Sequence, residues 1–272
     1  MYRFIQIIFF LIFLFNSFCL KSQDKQLRKV KNNAFKRGEK LTYRAYYHSA
    51  ITGNIQAGKA ILEIKNDNQL MSGRSTMHIV GTGNSVGTFN WFFKVNDQYD
   101  SWIDEQTIAP LLFFRRVNEG GFIINQDVFF DQRRNIALLK NKGTQTAKKV
   151  ADYTQDIISF FYYSRLFDVS TLKLHDSISC SFFLDDSVYK IKIVYEGKEN
   201  IKTKAGEFRC LRLKPMVLKG NVFKEPYPMT LWISDDKNHI PVLASSGLVV
   251  GSVRLELIKF ENLLNYPSAL IR

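Results

Sequence analysis

Short runs in which apolar and polar residues alternate follow one another along most of this 272-residue chain. Residues 41–47 are one example, and a two-residue period is typical of a β-strand that buries one face. Turn-forming residues separate the runs, such as Asn-Asp-Asn at 66–68 and Glu-Gly-Gly at 119–121. Many strands with mostly short connections predict an all-β fold that is built on one large, mostly antiparallel sheet.

One segment departs from this strand pattern. Residues 152–167 contain an aspartate suited to cap a helix, and they place Ile157, Phe160, Ser164 and Phe167 at helical spacing. The aromatic side chains could line a ligand site, but a helix that covers the sheet explains the spacing more simply. The sequence therefore predicts one covering α-helix.

The first residues have the pattern of a secretion signal. Arg3 supplies a positive start, and residues 4–15 contain a single polar side chain. This run is too short to span a bilayer comfortably, which favours a cleaved signal peptide over an uncleaved anchor. Cleavage is expected between Cys19 and Gln23. Lipidation of Cys19 is disfavoured because bulky Phe18 precedes it.

Four segments follow from these patterns: a signal peptide at 1–22, a basic linker at 23–38, a single β-rich domain at 39–262 and a C-terminal tail at 263–272. Much of the formal net charge of +13 lies in the lead segment and not in the domain. The domain has no arginine stripe or aromatic–basic repeat, which argues against nucleic-acid binding. The basic linker is expected to be solvated.

The stretch Gly83–Gly87 matches the G-x-S-x-G pattern, in which a strained turn exposes a nucleophilic serine. Asp176 and His239 follow in the chain order that such a hydrolase requires. The hydrolase fold that carries this pattern needs a parallel sheet with crossover helices, whereas this chain offers one helix. A turn is the favoured interpretation, and a serine hydrolase that uses Ser85 is the least favoured function.

The remaining candidate groups for chemistry are scattered. The four histidines are far apart, and the acidic pairs at 185–186 and 235–236 lack the spacing of a calcium loop. We therefore expect no metal, no cofactor and no catalytic residue. Cys180 and Cys210 are both placed on inward faces of strands. Two free thiols are favoured there over a disulfide, although an exported protein permits either.

The stretch 111–131 is apolar on both faces of its predicted hairpin. One helix can cover only one face, so the other face must close as a barrel interior, meet a partner or hold a ligand. We therefore expect Phe114→Asp and Phe129→Asp to differ, one damaging the fold and the other weakening binding. The aromatic segment 91–93 would form a lip at the edge. The predicted apolar ligand or partner face consists of Trp91, Phe93, Leu112, Phe114, Ile123 and Phe129.

Three blocks of sequence together resemble one known family. They are VNDQYDS at 95–101 with PLLFFRR at 110–116, DIIS at 156–159 with YYSR at 162–165, and KAGEF at 204–208 with LWISD at 231–235 and IPV at 240–242. In order and spacing they resemble the exported bacterial proteins grouped as domain of unknown function 3108 (DUF3108). The resemblance implies an all-β envelope protein of Gram-negative bacteria, similar to the curved half-barrels of periplasmic lipoprotein carriers. It implies no catalytic residues.

These observations predict a non-catalytic exported protein of the Gram-negative periplasm or cell envelope. It would bind an apolar or polymeric ligand on a curved β-sheet, either half-barrel or barrel-like. The alternative is a structural or assembly partner of another envelope protein. The expected partners are therefore lipid or another envelope protein, with no transmembrane segment in the mature chain. The sequence leaves the ligand's identity and the oligomeric state open.

Overall fold

A single curved sheet forms most of the structure. The computed structural model describes residues 25–51, 53–141, 143–169, 171–216, 229–248 and 250–271, and the predicted signal peptide at 1–22 lies outside them. Two helices are α1 (Phe89–Phe92) and α2 (Ile157–Ser164). The strands are β1 (Lys40–Ser49), β2 (Gly53–Ile64), β3 (Gln69–Met71), β4 (Arg74–Ser85), β5 (Asn96–Asp104), β6 (Ala109–Glu119), β7 (Phe122–Asp131), β8 (Ile136–Asn141), β9 (Thr144–Lys149), β10 (Ser177–Leu184), β11 (Ser187–Thr203), β12 (Gly206–Pro215), β13 (Met229–Ser234), β14 (Pro241–Gly247) and β15 (Ser252–Glu261).

The ladders between these strands are antiparallel, and the strand order is β10-β11-β12-β13-β14-β15-β1-β2-β4-β5-β6-β7-β8-β9, with β3 paired to β4 beside this path. The predicted all-β, mostly antiparallel curved sheet is confirmed. The first and last strands meet in the middle of the sheet because β1 pairs with β15. The consecutive strands β9 and β10 therefore form its two edges.

The sheet is curved but unclosed, since β9 and β10 form no ladder with each other among the described residues. Side chains and one connecting segment bridge much of the gap. The ring of Phe183 on β10 packs edge-on against Phe130 of β7, with centroids 6.0 Å apart. Lys148 of β9 forms an ion pair with Asp186 at 3.3 Å. Gln155, in the connection to α2, exchanges backbone hydrogen bonds with β10. The concave face is thereby largely enclosed.

The predicted covering helix is present as α2, but it is shorter than the predicted segment 152–167. It begins at Asp156, whose carboxylate accepts hydrogen bonds from the backbone N–H groups of Ile158 and Ser159 at 2.8 and 2.7 Å. The Ser159 hydroxyl in turn accepts from the Asp156 N–H at 2.8 Å. This reciprocal cap fixes the first turn. The preceding residues are not helical because Gln155 already pairs with β10.

The Asp156 carboxylate is fully buried beneath the sheet. Burial raises the pKa of Asp156 to about 6, although the Ser101 hydroxyl and the two N–H groups of the cap favour its charged form. The folded protein therefore takes up this proton at a higher pH than the unfolded chain does. As a consequence, the stability that protonated Asp156 contributes is fully present below about pH 4 and is lost as the pH rises through about 6.

We expect Asp156→Asn to remove this part of the pH dependence. The amide oxygen of asparagine can still cap the helix, but the side chain cannot ionise. A shift of about two pKa units corresponds to about 3 kcal/mol between pH 4 and pH 7. Urea unfolding of the wild type and of Asp156→Asn at these two pH values measures the difference in the free energy of unfolding. An equal pH dependence in wild type and variant would contradict the assignment.

The basic segment before β1 packs into the domain. Ala34 and Phe35 are completely or almost completely buried, and the Phe35 ring lies edge-on to Tyr162 of α2, with centroids 5.0 Å apart. The guanidinium of Arg28 stacks over the ring of Tyr153 at 4.2 Å. The prediction of a solvated linker at 23–38 is therefore wrong for the described part of that stretch. Its apolar side chains complete the core, and its charges find partners at the surface.

The residues after β15 are also part of the domain. Ala269 is fully buried, and Leu270 forms an isolated β-bridge with Phe208 of β12. The Ile271 N–H donates to the Glu207 carbonyl at 2.7 Å. The predicted tail at 263–272 is thus packed along one end of the sheet over its described residues.

Cys180 and Cys210, the two cysteines among the described residues, are free thiols. Cys180 pairs with Ile191 across β10 and β11, whereas Cys210 pairs with Glu199 across β11 and β12. The two positions on β11 are eight residues apart, which corresponds to about 26 Å along a strand. A disulfide needs Cα atoms within about 7 Å, so this fold keeps the thiols apart. The preference for free thiols is confirmed.

Candidate apolar binding surface

Three of the predicted face residues lie on the outer, convex face of the sheet. Leu112 and Phe129 pair directly across β6 and β7, and Phe114 lies two residues further along the same face. The intervening residues Phe113 and Val128 are buried in the concave core. Because Phe114 and Phe129 share a face, the expected contrast between Phe114→Asp and Phe129→Asp does not follow from opposite faces of the hairpin.

These three residues form a belt that neighbouring side chains cover only in part, since Phe129 remains 44% exposed. The ring of Trp102 packs edge-on against Phe114, with centroids 5.2 Å apart. On the other side, the guanidinium of Arg116 lies over the Phe114 ring and pairs with Asp127 at 2.6 Å. This ion pair separates the belt from the remaining predicted residues, so the six residues do not form one continuous surface.

A second group of apolar side chains lies at one end of the sheet. The connections at 49–53, 86–95, 119–122 and 247–252 share this end, because alternate turns of an antiparallel sheet fall on the same side. Large apolar side chains at these turns are exposed to solvent, and Trp91 is 84% exposed. We call this group the apolar rim. It consists of Ile51, Trp91, Phe92, Phe93, Phe122, Ile123 and Val250.

Contacts between neighbouring turns hold the rim together. The ring of Phe89 in α1 lies 6.1 Å from that of Tyr47, whose hydroxyl donates to the Val250 carbonyl at 3.2 Å. On the other side of α1, the Phe93 ring lies directly over Gly120. A Cβ atom at that glycine would come within 2.6 Å of the ring. The three turns therefore form one structural unit.

Ser85 supports the rim and is not placed as a nucleophile. Its hydroxyl accepts a hydrogen bond from the Val95 N–H at 2.8 Å and donates to the Asn90 side chain at 2.5 Å. It therefore fixes both ends of the α1 segment. His239 instead lies against the Arg165 carbonyl at 2.8 Å, and Asp176 accepts from the Lys173 N–H. The described structure does not bring Ser85, Asp176 and His239 together.

The acidic side chain nearest the rim is Glu119, at the start of the β6–β7 turn. Burial and the neighbouring Asp97 carboxylate both raise the pKa of Glu119 above its usual range. Asp97 itself is fixed by accepting a hydrogen bond from the Asn118 N–H at 3.0 Å.

The apolar part of the concave face has little free space. Its apolar pocket lies between the end of α2 and strands β10–β14, with walls that include Phe161, Ile193, Leu213 and Ile233. The pocket has a volume of only about 40 Å³, because α2 and the segment around Phe35 fill the interior. A pocket that holds a small-molecule ligand usually measures at least about 300 Å³. This apolar pocket is therefore too small to hold a lipid. A more polar hollow of about 460 Å³ adjoins it, with walls that include Leu166, Tyr195, Lys198 and Asp235.

Within the described residues, no group of three or more His, Cys, Asp or Glu side chains is placed to hold a metal ion. No helix in that part of the chain is long and apolar enough to cross a membrane.

Comparisons with known proteins address the fold. A crystal structure of a β-barrel-like protein of domain of unknown function DUF1849 from Brucella abortus aligns with a TM-score of 0.56 at 11% identity, covering 84% of this chain and 99% of that chain. A candidate lipoprotein from Parabacteroides distasonis aligns at 0.34 and 12% identity, covering 87% and 100% of the two chains. A candidate exported protein from Bacteroides fragilis aligns at 0.30 and 9% identity, covering 84% and 98%. The last two are too dissimilar to support an argument.

No curated protein matches the sequence. A family model does match, over residues 42–258, and its description is protein of unknown function (DUF3108). The match covers most of the sheet from β1 to β15, including the belt and the whole rim. The chain belongs to the DUF3108 family.

Proposed function

We propose that this protein is a non-catalytic, exported protein of the Gram-negative cell envelope that binds the apolar layer of a lipid bilayer through its rim. The observation that supports this proposal is the group of exposed aromatic and aliphatic side chains on turns that share one end of the sheet. Soluble proteins rarely expose such a group without an apolar partner. The N-terminal secretion signal supports export.

A bilayer fits this surface better than a small ligand does. The rim side chains project from separate turns and do not surround a cavity, so they suit a broad apolar phase. Trp91, Phe92 and Phe93 are consecutive, and aromatic side chains of this kind concentrate at membrane interfaces. Burial of one large apolar side chain contributes about 1.5–3 kcal/mol, so a few inserted residues give reversible attachment. The apolar pocket of the concave face, at about 40 Å³, is too small to be a comparable site.

We expect the double variant Trp91→Ser/Phe92→Ser to weaken binding to phosphatidylcholine vesicles by about a hundredfold. Both side chains are highly exposed, so the melting temperature should change little. The matched control is Leu70→Ser/Tyr266→Ser, because these side chains are 71% and 85% exposed at the opposite end of the sheet. Vesicle co-sedimentation measures the affinities.

Tryptophan fluorescence provides a second readout of the same contact. The chain has three tryptophans, of which Trp102 and Trp232 donate their ring N–H groups to Gln69 and Glu199. Trp91 is the exposed one, so vesicles should shift its emission to the blue. Wild-type protein that neither sediments with vesicles nor changes emission would reject the proposal. Cross-linking of the rim to another envelope protein in that case would favour the assembly-partner alternative.

A further inference from the structure

A polar trough lies on the outer face of the sheet immediately beside the rim. Two rows of side chains line it across β2, β1, β15 and β14. In the first row, His48 on β1 lies between Asn54 on β2 and Ser252 on β15. In the second row, Arg254 on β15 lies between Tyr46 on β1 and Ser245 on β14. The trough has a volume of about 470 Å³, within the usual range for a ligand site.

The trough offers hydrogen-bond donors and positive charge. Arg254 is exposed and has no ion-pair or hydrogen-bond partner among the described residues. Arg44, one row further along, donates to the Tyr46 hydroxyl at 3.3 Å. The acidic side chain that lines the trough is Glu256, and it accepts a hydrogen bond from the Lys204 N–H at 2.9 Å. Guanidinium, imidazole and hydroxyl groups are suited to bind the oxygen atoms of a phosphate.

The position of the trough matches the depth of lipid headgroups. Val250 of the rim precedes Ser252 by two residues, and Ile51 follows His48 by three. At about 3.3 Å per residue, the two rows lie about 7–17 Å from the tips of these turns. The headgroup layer of a bilayer begins where its apolar core ends and is about 5–8 Å thick on each side. Rim residues inserted in the apolar layer would therefore bring the trough to the level of the phosphates.

We propose that this trough binds the phosphate-bearing headgroup of an anionic lipid while the rim enters the apolar layer. The inference rests on the proposed function, because the rim must first place the trough at the bilayer surface. Arg254 is the central contact, since its guanidinium is free to reach phosphate oxygens. Ser245 lies opposite it on β14, and Ser252 lies two residues before it on β15. Binding of a headgroup in the trough makes the attachment selective for anionic membranes.

The test compares vesicles of phosphatidylcholine with vesicles that also contain phosphatidylglycerol. Wild-type protein should bind the mixed vesicles more tightly, and Arg254→Gln should reduce that preference about fivefold. Binding of the variant to phosphatidylcholine alone should fall less than binding to the mixed vesicles, because the choline cation offsets the charge of that lipid's phosphate. Failure of the rim would instead weaken binding to both kinds of vesicle equally. The matched control Arg134→Gln removes the same charge at the opposite end, from a side chain that is 80% exposed.

Three outcomes would overturn the proposal while leaving attachment by the rim intact. Wild-type protein could bind both kinds of vesicle equally. Arg254→Gln and Arg134→Gln could reduce the preference equally, which would indicate only long-range attraction. Finally, glycerol phosphate could bind the protein in solution in an Arg254-dependent manner without any preference for phosphatidylglycerol vesicles. That result would assign the trough to a soluble phosphate and not to a lipid.

Discussion

Arg165→Met is expected to lower the free energy of unfolding by about 3–5 kcal/mol. The two terminal guanidinium nitrogens of Arg165 lie 2.5 and 2.9 Å from the carboxylate oxygens of Glu39, and both side chains are almost completely buried. Removing the arginine leaves a negative charge without its counterion in the core. Urea unfolding followed by circular dichroism measures the loss.

The size of this effect reflects what Arg165 joins. Its guanidinium also donates to the carbonyls of Ala34 and Asn238 at 3.2 and 2.9 Å. It therefore ties the end of α2 to the N-terminal segment, to the residue before β1 and to the β13–β14 turn. The double variant Arg165→Met/Glu39→Met should be more stable than Arg165→Met, because no unpaired charge remains. It should not recover fully, since both carbonyls still lack a donor.

The exposed pair Lys198–Asp235 provides the control for this experiment. Its nitrogen and oxygen atoms are 2.8 Å apart, but the lysine side chain is 63% exposed. Exposed ion pairs typically contribute less than about 1 kcal/mol. Lys198→Met should therefore have little effect. If Arg165→Met lowers the free energy of unfolding as little as Lys198→Met does, the buried pair contributes no more to stability than an exposed pair.

Phe35→Ala is expected to destabilise the protein by about 3–5 kcal/mol, the usual result when a fully buried phenylalanine is truncated. Phe35 is 1% exposed and lies against Tyr162, and the Arg165 guanidinium lies 5.4 Å from its ring centre. The neighbouring Lys36 is exposed, so Lys36→Ala serves as the control and should change stability by less than about 0.5 kcal/mol. Equal stability of the two variants would mean that the segment before β1 lies outside the folded domain.

The strands could be predicted because each carries its own local signal. Alternation and turn residues mark β1, β2 and the β6–β7 hairpin without reference to the rest of the chain. The role of Phe35 gives no such signal, because it stands with one other apolar residue among basic ones and shows no period. Its burial depends on a space that exists only after the sheet has curved.

The relative placement of Phe114 and Phe129 depended on one detail of the turn. The sequence-based hairpin used a three-residue loop, Glu-Gly-Gly at 119–121. The structure instead pairs Glu119 with Phe122 around Gly120 and Gly121, both with positive φ. Two such glycines allow the tight turn that matches the twist of the strands. A change of one residue in the loop alters which side chains share a face.

The candidate site was only partly predictable for a related reason. Trp91, Phe93 and Ile123 were proposed from their aromatic or apolar character, and the structure places them in the exposed rim. Ile51 and Val250 were missed because they lie close to turn glycines, in segments too short to show a strand or helix period. An apolar residue close to a turn glycine was the sequence signal that could have identified them. Their proximity to α1 required the strand order, since β1 must pair with β15 before the turns at 49–53 and 247–252 become neighbours.

The pairing of β1 with β15 has a consequence for how the protein folds. One edge of β1 meets a partner more than 200 residues away in sequence, as Tyr43 does with Leu257. A chain that emerges from its N-terminus can assemble β1–β9 from neighbouring hairpins, but one side of β1 stays open until the last strand arrives. Such distant pairing slows folding, because a long loop must close before its contacts form. The pairing of β1 with β15, in the middle of the finished sheet, is therefore the last to form. Until then β1 exposes a strand edge that can pair with other chains.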